Sequence, residues 1–72
     1  MEIDLVKYNL IETIRKEYND LLKQRSIAIE MKRELLTKML LRLDAILSEN
    51  QPFIREQRKK LVVRINKTLD EL

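Results

Sequence analysis

The sequence contains no histidine, cysteine, glycine or tryptophan, and only one proline. Each absence closes a route. Without cysteine there is neither a disulfide framework nor a thiolate metal site. With histidine missing too, zinc and copper lose their preferred ligands. No glycine-rich loop is available to cradle a phosphate. The turns of a β-sheet draw on clusters of Gly, Pro, Asn and Asp, which are nearly absent here. Apolar runs are short as well, none longer than the three residues of Met39-Leu40-Leu41. Such runs do not span a bilayer, and no charged-then-apolar leader opens the chain. Serines 26 and 48 fall at expected helix ends with no base nearby, so they read as cap and loop residues rather than nucleophiles. The carboxylates show no clustering in apolar surroundings that would split their pKa values for acid–base work. The expectation is a protein that is not an enzyme and takes no cofactor and no metal. The lack of cysteine fits a reducing, cytoplasmic setting, or the cytosolic face of a membrane if an anchor lies outside this segment.

What is present suits long helices. Of 72 residues, 44% are hydrophobic and 38% charged, and only three are aromatic. The core must therefore come from Leu, Ile, Val and Met, in one small domain covering residues 1–72. A core of that size supplies about 3–5 kcal/mol of net stability.

Spacing divides the chain into three helices, at about residues 3–22, 26–47 and 52–71. In the first, Ile3, Val6, Leu10, Ile14, Tyr18 and Leu21 recur at steps of three and four, with Leu5, Ile11 and Leu22 widening the stripe. Glu2 and Asp4 in its opening turn complement the helix dipole. Tyr8 and Tyr18 read as core-edge or surface residues, and Met31 and Met39 as packing residues. No Pro or Gly ends this helix, so the break is placed within residues 22–26, with Ser26 as cap of the second helix. A break at Asn19-Asp20, or one continuous helix, stays open. The second helix presents Ile29, Leu36, Leu40, Leu43 and Leu47 together with Ala28, Met31, Leu35, Met39 and Ile46. That face is wide enough for two neighbours. Ser48–Gln51 forms a polar loop, and Pro52 suits the first position of the third helix. The third helix buries Ile54, Leu61, Ile65, Leu69 and Leu72, flanked by Phe53 and Val62. Matched lengths and short connections predict an all-α, antiparallel three-helix bundle.

Charge is unevenly spread. The net charge is +3, and residues 52–72 carry six basic side chains against three acidic ones. On the second helix Glu34, Thr37, Leu41 and Asp44 form one stripe by their 3-4-3 spacing. On the third, Arg58, Val62 and Asn66 form another. Between antiparallel neighbours the two stripes make one exposed patch. The alternative is a solvated face with internal Glu–Arg pairs worth about 0–1 kcal/mol.

The stretch from Leu35 to Asp44 (LLTKMLLRLD) and that from Arg55 to Asn66 (REQRKKLVVRIN) resemble helices two and three of the BAG domain, a co-chaperone module. The family pairs a Leu-rich helix ending in Leu-Asp with a helix of the type Arg-Lys-x-x-Val-x-x-Ile-Gln. The resemblance covers about residues 30–72, and the first helix adds only compatible length and amphipathicity. It implies a partner, the nucleotide-binding (ATPase) domain of a heat-shock protein 70 family chaperone, and an activity, the promotion of ADP release. Carried over by position, it implies acidic contacts from Glu34 and Asp44, and basic contacts from Arg58 and Lys59. Asn66 stands where the family usually has Gln, one methylene shorter, so its hydrogen bond is lost or water-bridged.

Two other functions remain in view. One is a helical scaffold for oligomerisation, against which a monomer is expected here. The other is RNA or ribosome binding through the basic third helix, although nucleic-acid domains usually carry a larger positive excess.

Overall fold

The computed structural model describes residues 4–48 and 50–72. They form three helices: α1 (Leu5–Lys23), α2 (Ile29–Asp44) and α3 (Pro52–Glu71). Each helix packs against both others. The antiparallel three-helix bundle expected from spacing is the fold observed.

Cross-helix contacts set the directions. Tyr8 stacks against Phe53 with ring centroids 5.7 Å apart, Arg15 donates to Gln57 and Tyr18 bonds Thr68, so α1 and α3 run parallel. The ion pair Arg42–Glu17, at 2.8 Å, matches the end of α2 with the middle of α1. Hence α2 runs against both.

Local chemistry explains most of the boundaries. Asp4 caps α1, its carboxylate accepting from the Lys7 amide at 3.1 Å, and so satisfies one of the donors every helix start leaves open. Pro52 opens α3, where its missing N–H costs nothing and its fixed φ is already helical. Asn50, just before it, takes a left-handed conformation with φ 60°, which Asn tolerates better than most residues. The expected start at Ile3, with Glu2 in the opening turn, and Glu49 of the expected loop lie outside the described residues.

The α1–α2 connection departs from expectation. It spans residues 24–28 rather than 22–26, and Ser26 caps nothing. Ala28 holds the cap position, with no side-chain hydrogen bond. Ile27 packs against the core, and this draws the chain past Ser26 before the helix can begin.

The second helix is also shorter than expected, ending at Asp44 rather than at residue 47. The amide of Ile46 bonds the Leu43 carbonyl at 3.0 Å, and the tightened turn drives Ile46 into the core while Leu47 swings out, 63% exposed.

The core comprises Ile11, Ile14, Tyr18 and Leu21 of α1, Leu36, Met39 and Leu43 of α2, Ile46, and Ile54, Leu61 and Ile65 of α3. Leu35, Leu40, Val62, Leu69 and Leu72 pack against its edge. In α1 the buried row runs through Ile11, whereas Val6 and Leu10 face solvent. Both residue 10 and residue 11 fit a 3.6 period over one turn, and the seat between two neighbours selects Ile11. Ile29 and Met31 are likewise exposed rather than buried. Tyr18 is a core residue, not an edge one. Its hydroxyl lies 2.6 Å from Thr68 Oγ1, and both hydroxyls reach the Arg64 carbonyl, at 3.4 Å and 3.0 Å.

Candidate functional site

A helix turns about 100° per residue, so contacts on one flank fix the position of the other. On α2, Arg42 points at α1 through its ion pair with Glu17. Leu35 and Met39 border the same α1–α2 groove. Asp44 lies two residues beyond Arg42, and Thr37 two beyond Leu35, each about 200° away. Glu34, Thr37, Leu41 and Asp44 are all exposed. They form one outward stripe, with Thr37 and Asp44 on the flank of α2 away from α1 and Glu34 on its outer, solvent-facing side.

The same construction holds for α3. Gln57 bonds Arg15 of α1, and Arg64 lies over the Tyr18 ring, its guanidinium carbon 5.8 Å from the centroid. Asn66, two residues past Arg64, is exposed on the opposite flank, and Val62 tucks against the core edge between Asn66 and Arg58. Glu34 and Asp44 are separated along the axis by about 15 Å, and Arg58 and Asn66 by about 12 Å, at 1.5 Å rise per residue. With α2 and α3 antiparallel, Asp44 belongs to the Arg58 end of the patch and Glu34 to the Asn66 end.

The members differ in how firmly they are held. Glu34 pairs with Lys38 one turn on, at 3.3 Å, with both side chains well exposed. Such a pair is easily exchanged for another partner. Asp44 forms no ion pair with any described residue. Arg58 is half-buried, and its Nη1 donates to the Ile46 carbonyl at 2.6 Å. That carbonyl lies just past the end of α2, where main-chain acceptors lose their helical partners. Arg58 therefore ties the end of α2 to α3, and a guanidinium with five N–H donors retains others for a second acceptor. Sequence spacing does not announce this bond, because its acceptor is a main-chain oxygen that every residue carries. Lys59 is set apart from Arg58. It lies on the outer surface of α3 and lines a groove there with Glu56, Lys60 and Val63.

Asp44 thus lies on the flank of α2 away from α1, and Arg58 reaches the end of α2 from α3. Glu34 faces solvent, while Asn66 and Lys59, seven residues apart, share the outer flank of α3. Among the described residues no cluster of acidic side chains is arranged to hold a metal ion.

The sequence model of the BAG domain matches residues 11–72. The chain belongs to the BAG domain family. The match takes in most of α1 as well as α2 and α3, a wider span than the two helices whose motifs carry the resemblance in sequence. No curated protein and no solved structure gives a significant match. BAG domains are co-chaperone modules that bind the ATPase domain of heat-shock protein 70 chaperones, rather than a catalytic family. Among the described residues of this BAG domain, no helix is long and apolar enough to cross a membrane.

Proposed function

We propose that this BAG domain binds the ATPase domain of a heat-shock protein 70 family chaperone through the α2–α3 seam, and promotes ADP release there as a monomer in the cytoplasm. The observation that carries the reading is an exposed acidic stripe on α2 flanked by Arg58 and Asn66 of α3, in a chain of this family. Glu34 and Asp44 supply the carboxylates, Arg58 a guanidinium able to hold a carboxylate in two bonds, and Asn66 a short amide. Lys59 contributes from the margin. The mechanism is differential binding: the domain speeds release only if it grips the open cleft more tightly than the nucleotide-closed one, since equal affinity for both shifts nothing. A rigid two-helix surface does this by fitting one cleft geometry and not the other.

The test uses Asp44→Ala. Asp44 is exposed and unpaired, so its loss leaves the fold intact, whereas truncating one partner of a charge pair desolvated at an interface costs about 2–5 kcal/mol of binding. Stimulated release of labelled ADP from the chaperone's ATPase domain should fall sharply while the thermal melt stays unchanged. Full exchange activity in a folded Asp44→Ala protein would remove Asp44 from the site, and the same result with Glu34→Ala would remove the acidic stripe altogether.

A further inference from the structure

A second charged surface lies where the outer face of α3 meets α1, sharing only Lys59 with the proposed chaperone site. Arg15, Lys59, Lys60 and Arg64 line a shallow groove of about 480 Å³, with Glu56 as its one described carboxylate. Leu61 and Val63 give it apolar walls. Leu61 is fully buried, while Val63 is 58% exposed in the midst of these cations. Arg15 is already engaged, with the Glu12 carboxylate at 3.1 Å and the Gln57 amide oxygen at 3.2 Å. Lys59, Lys60 and Arg64 form no ion pair with any described residue. Lys59 and Lys60 without ion pairs, Arg64 over the Tyr18 ring and the exposed Val63 make a cationic, partly apolar surface that a ligand carrying negative charge complements.

We propose that this groove docks an acidic peptide segment that bears an apolar side chain. The carboxylates of the segment meet Lys60 and Arg64, and its apolar side chain covers Val63. The volume falls within the range of pockets that enclose a few side chains. Charge complementarity selects the sign of the partner and speeds encounter.

Aromatic placement decides against single-stranded nucleic acid. Binding of that kind stacks bases on exposed aromatic rings. Here Tyr18 is buried with its hydroxyl bonded, and Tyr8 and Phe53 are stacked on each other. None of the three lines the groove.

The experiment is a fluorescence-anisotropy titration of a labelled Glu-rich peptide containing leucine, with the intact chain at low and raised salt. Saturable binding that weakens with salt is expected. The combined change Lys60→Glu and Arg64→Glu should weaken it about tenfold or more, because two favourable charge contacts become repulsive. Lys38→Glu makes the same kind of change on α2 and should leave it unaltered, and replacing the peptide's leucines by serine should weaken it. A melt of each variant checks the fold. If the double variant fails to fold, Lys60→Ala alone, at an exposed position, should still weaken binding by about threefold. Unchanged affinity in a folded variant overturns the proposal. So does tighter binding to single-stranded RNA of equal length, or to phosphatidylserine vesicles, than to the peptide.

Discussion

Two side chains in this BAG domain carry more than their class suggests. Arg58 belongs to the proposed chaperone site, yet its bond to the Ile46 carbonyl makes it part of the fold. Truncation leaves that acceptor without its charged donor, and hydrogen bonds to charged groups contribute about 1.5–3 kcal/mol. Arg58→Ala should therefore lower stability by about 1–2 kcal/mol in a denaturant titration, the half-exposed site discounting the larger figure. An unchanged midpoint would show that water replaces the guanidinium at no cost. It follows that exchange assays on Arg58→Ala must be read alongside its melt, whereas Asp44→Ala needs no such correction. Tyr18 is the second case. Its ring is buried and its hydroxyl is bonded to Thr68 Oγ1 and the Arg64 carbonyl. Tyr18→Phe keeps the packing and removes the donor, with an expected loss of about 1 kcal/mol. Thr68 keeps its own bond to the Arg64 carbonyl, so the loss stays within the range of about 0.5–1.5 kcal/mol for such bonds.

At the scale of the helices, the sequence was legible wherever the signal was local and covalent, and obscure wherever tertiary packing chose between local equals. Pro52 announced the start of α3, because its ring fixes φ and forbids continuation of what precedes it. The outward stripe of α2 was legible for the same reason: Glu34, Thr37, Leu41 and Asp44 share a face in any regular helix. Ile11 against Leu10 could not be separated by period, since the seat between α2 and α3 makes the choice. Likewise the end of α2 depends on Ile46 entering the core and on a side chain twelve residues away. Ser26 had the right chemistry for a cap but lost the position to Ala28, because the half-buried Ile27 sets where the chain turns. This leaves α2 with an open amide end and yields a prediction. Ala28 already has extended geometry, φ −59° and ψ 146°. Ala28→Ser should supply the missing acceptor and raise stability by about 0.5–1 kcal/mol, read as a higher thermal midpoint. A fall in midpoint would mean that the Ala28 methyl is needed for packing.

For the molecule as a whole, the decisive relation is between the two helices that carry the proposed chaperone site and the one that does not. Both faces of the proposed chaperone site lie on α2 and α3, yet their mutual position rests on α1. Ile11, Ile14, Tyr18 and Leu21 fill the core against both helices. Glu17 holds Arg42 of α2, and Arg15 and Tyr18 hold α3. Remove α1, and Leu36, Met39, Leu43, Leu61 and Ile65 lose the side of their enclosure that α1 supplies. Burial of an apolar side chain contributes about 1.5–3 kcal/mol, and a domain of this size has only about 3–5 kcal/mol to lose. An isolated helix of this length is marginal in water, because its stability comes from packing rather than propensity. A fragment of residues 24–72 should therefore be largely disordered by circular dichroism, although it contains every residue of the seam. Mixed with the chaperone's ATPase domain, it should gain helical signal, but bind far more weakly than the full chain, since part of the interaction energy goes into ordering it. Equal affinity of fragment and full chain would show that α1 is dispensable for the geometry of the site. A strongly helical fragment in isolation would show that α2 and α3 form a stable pair without it.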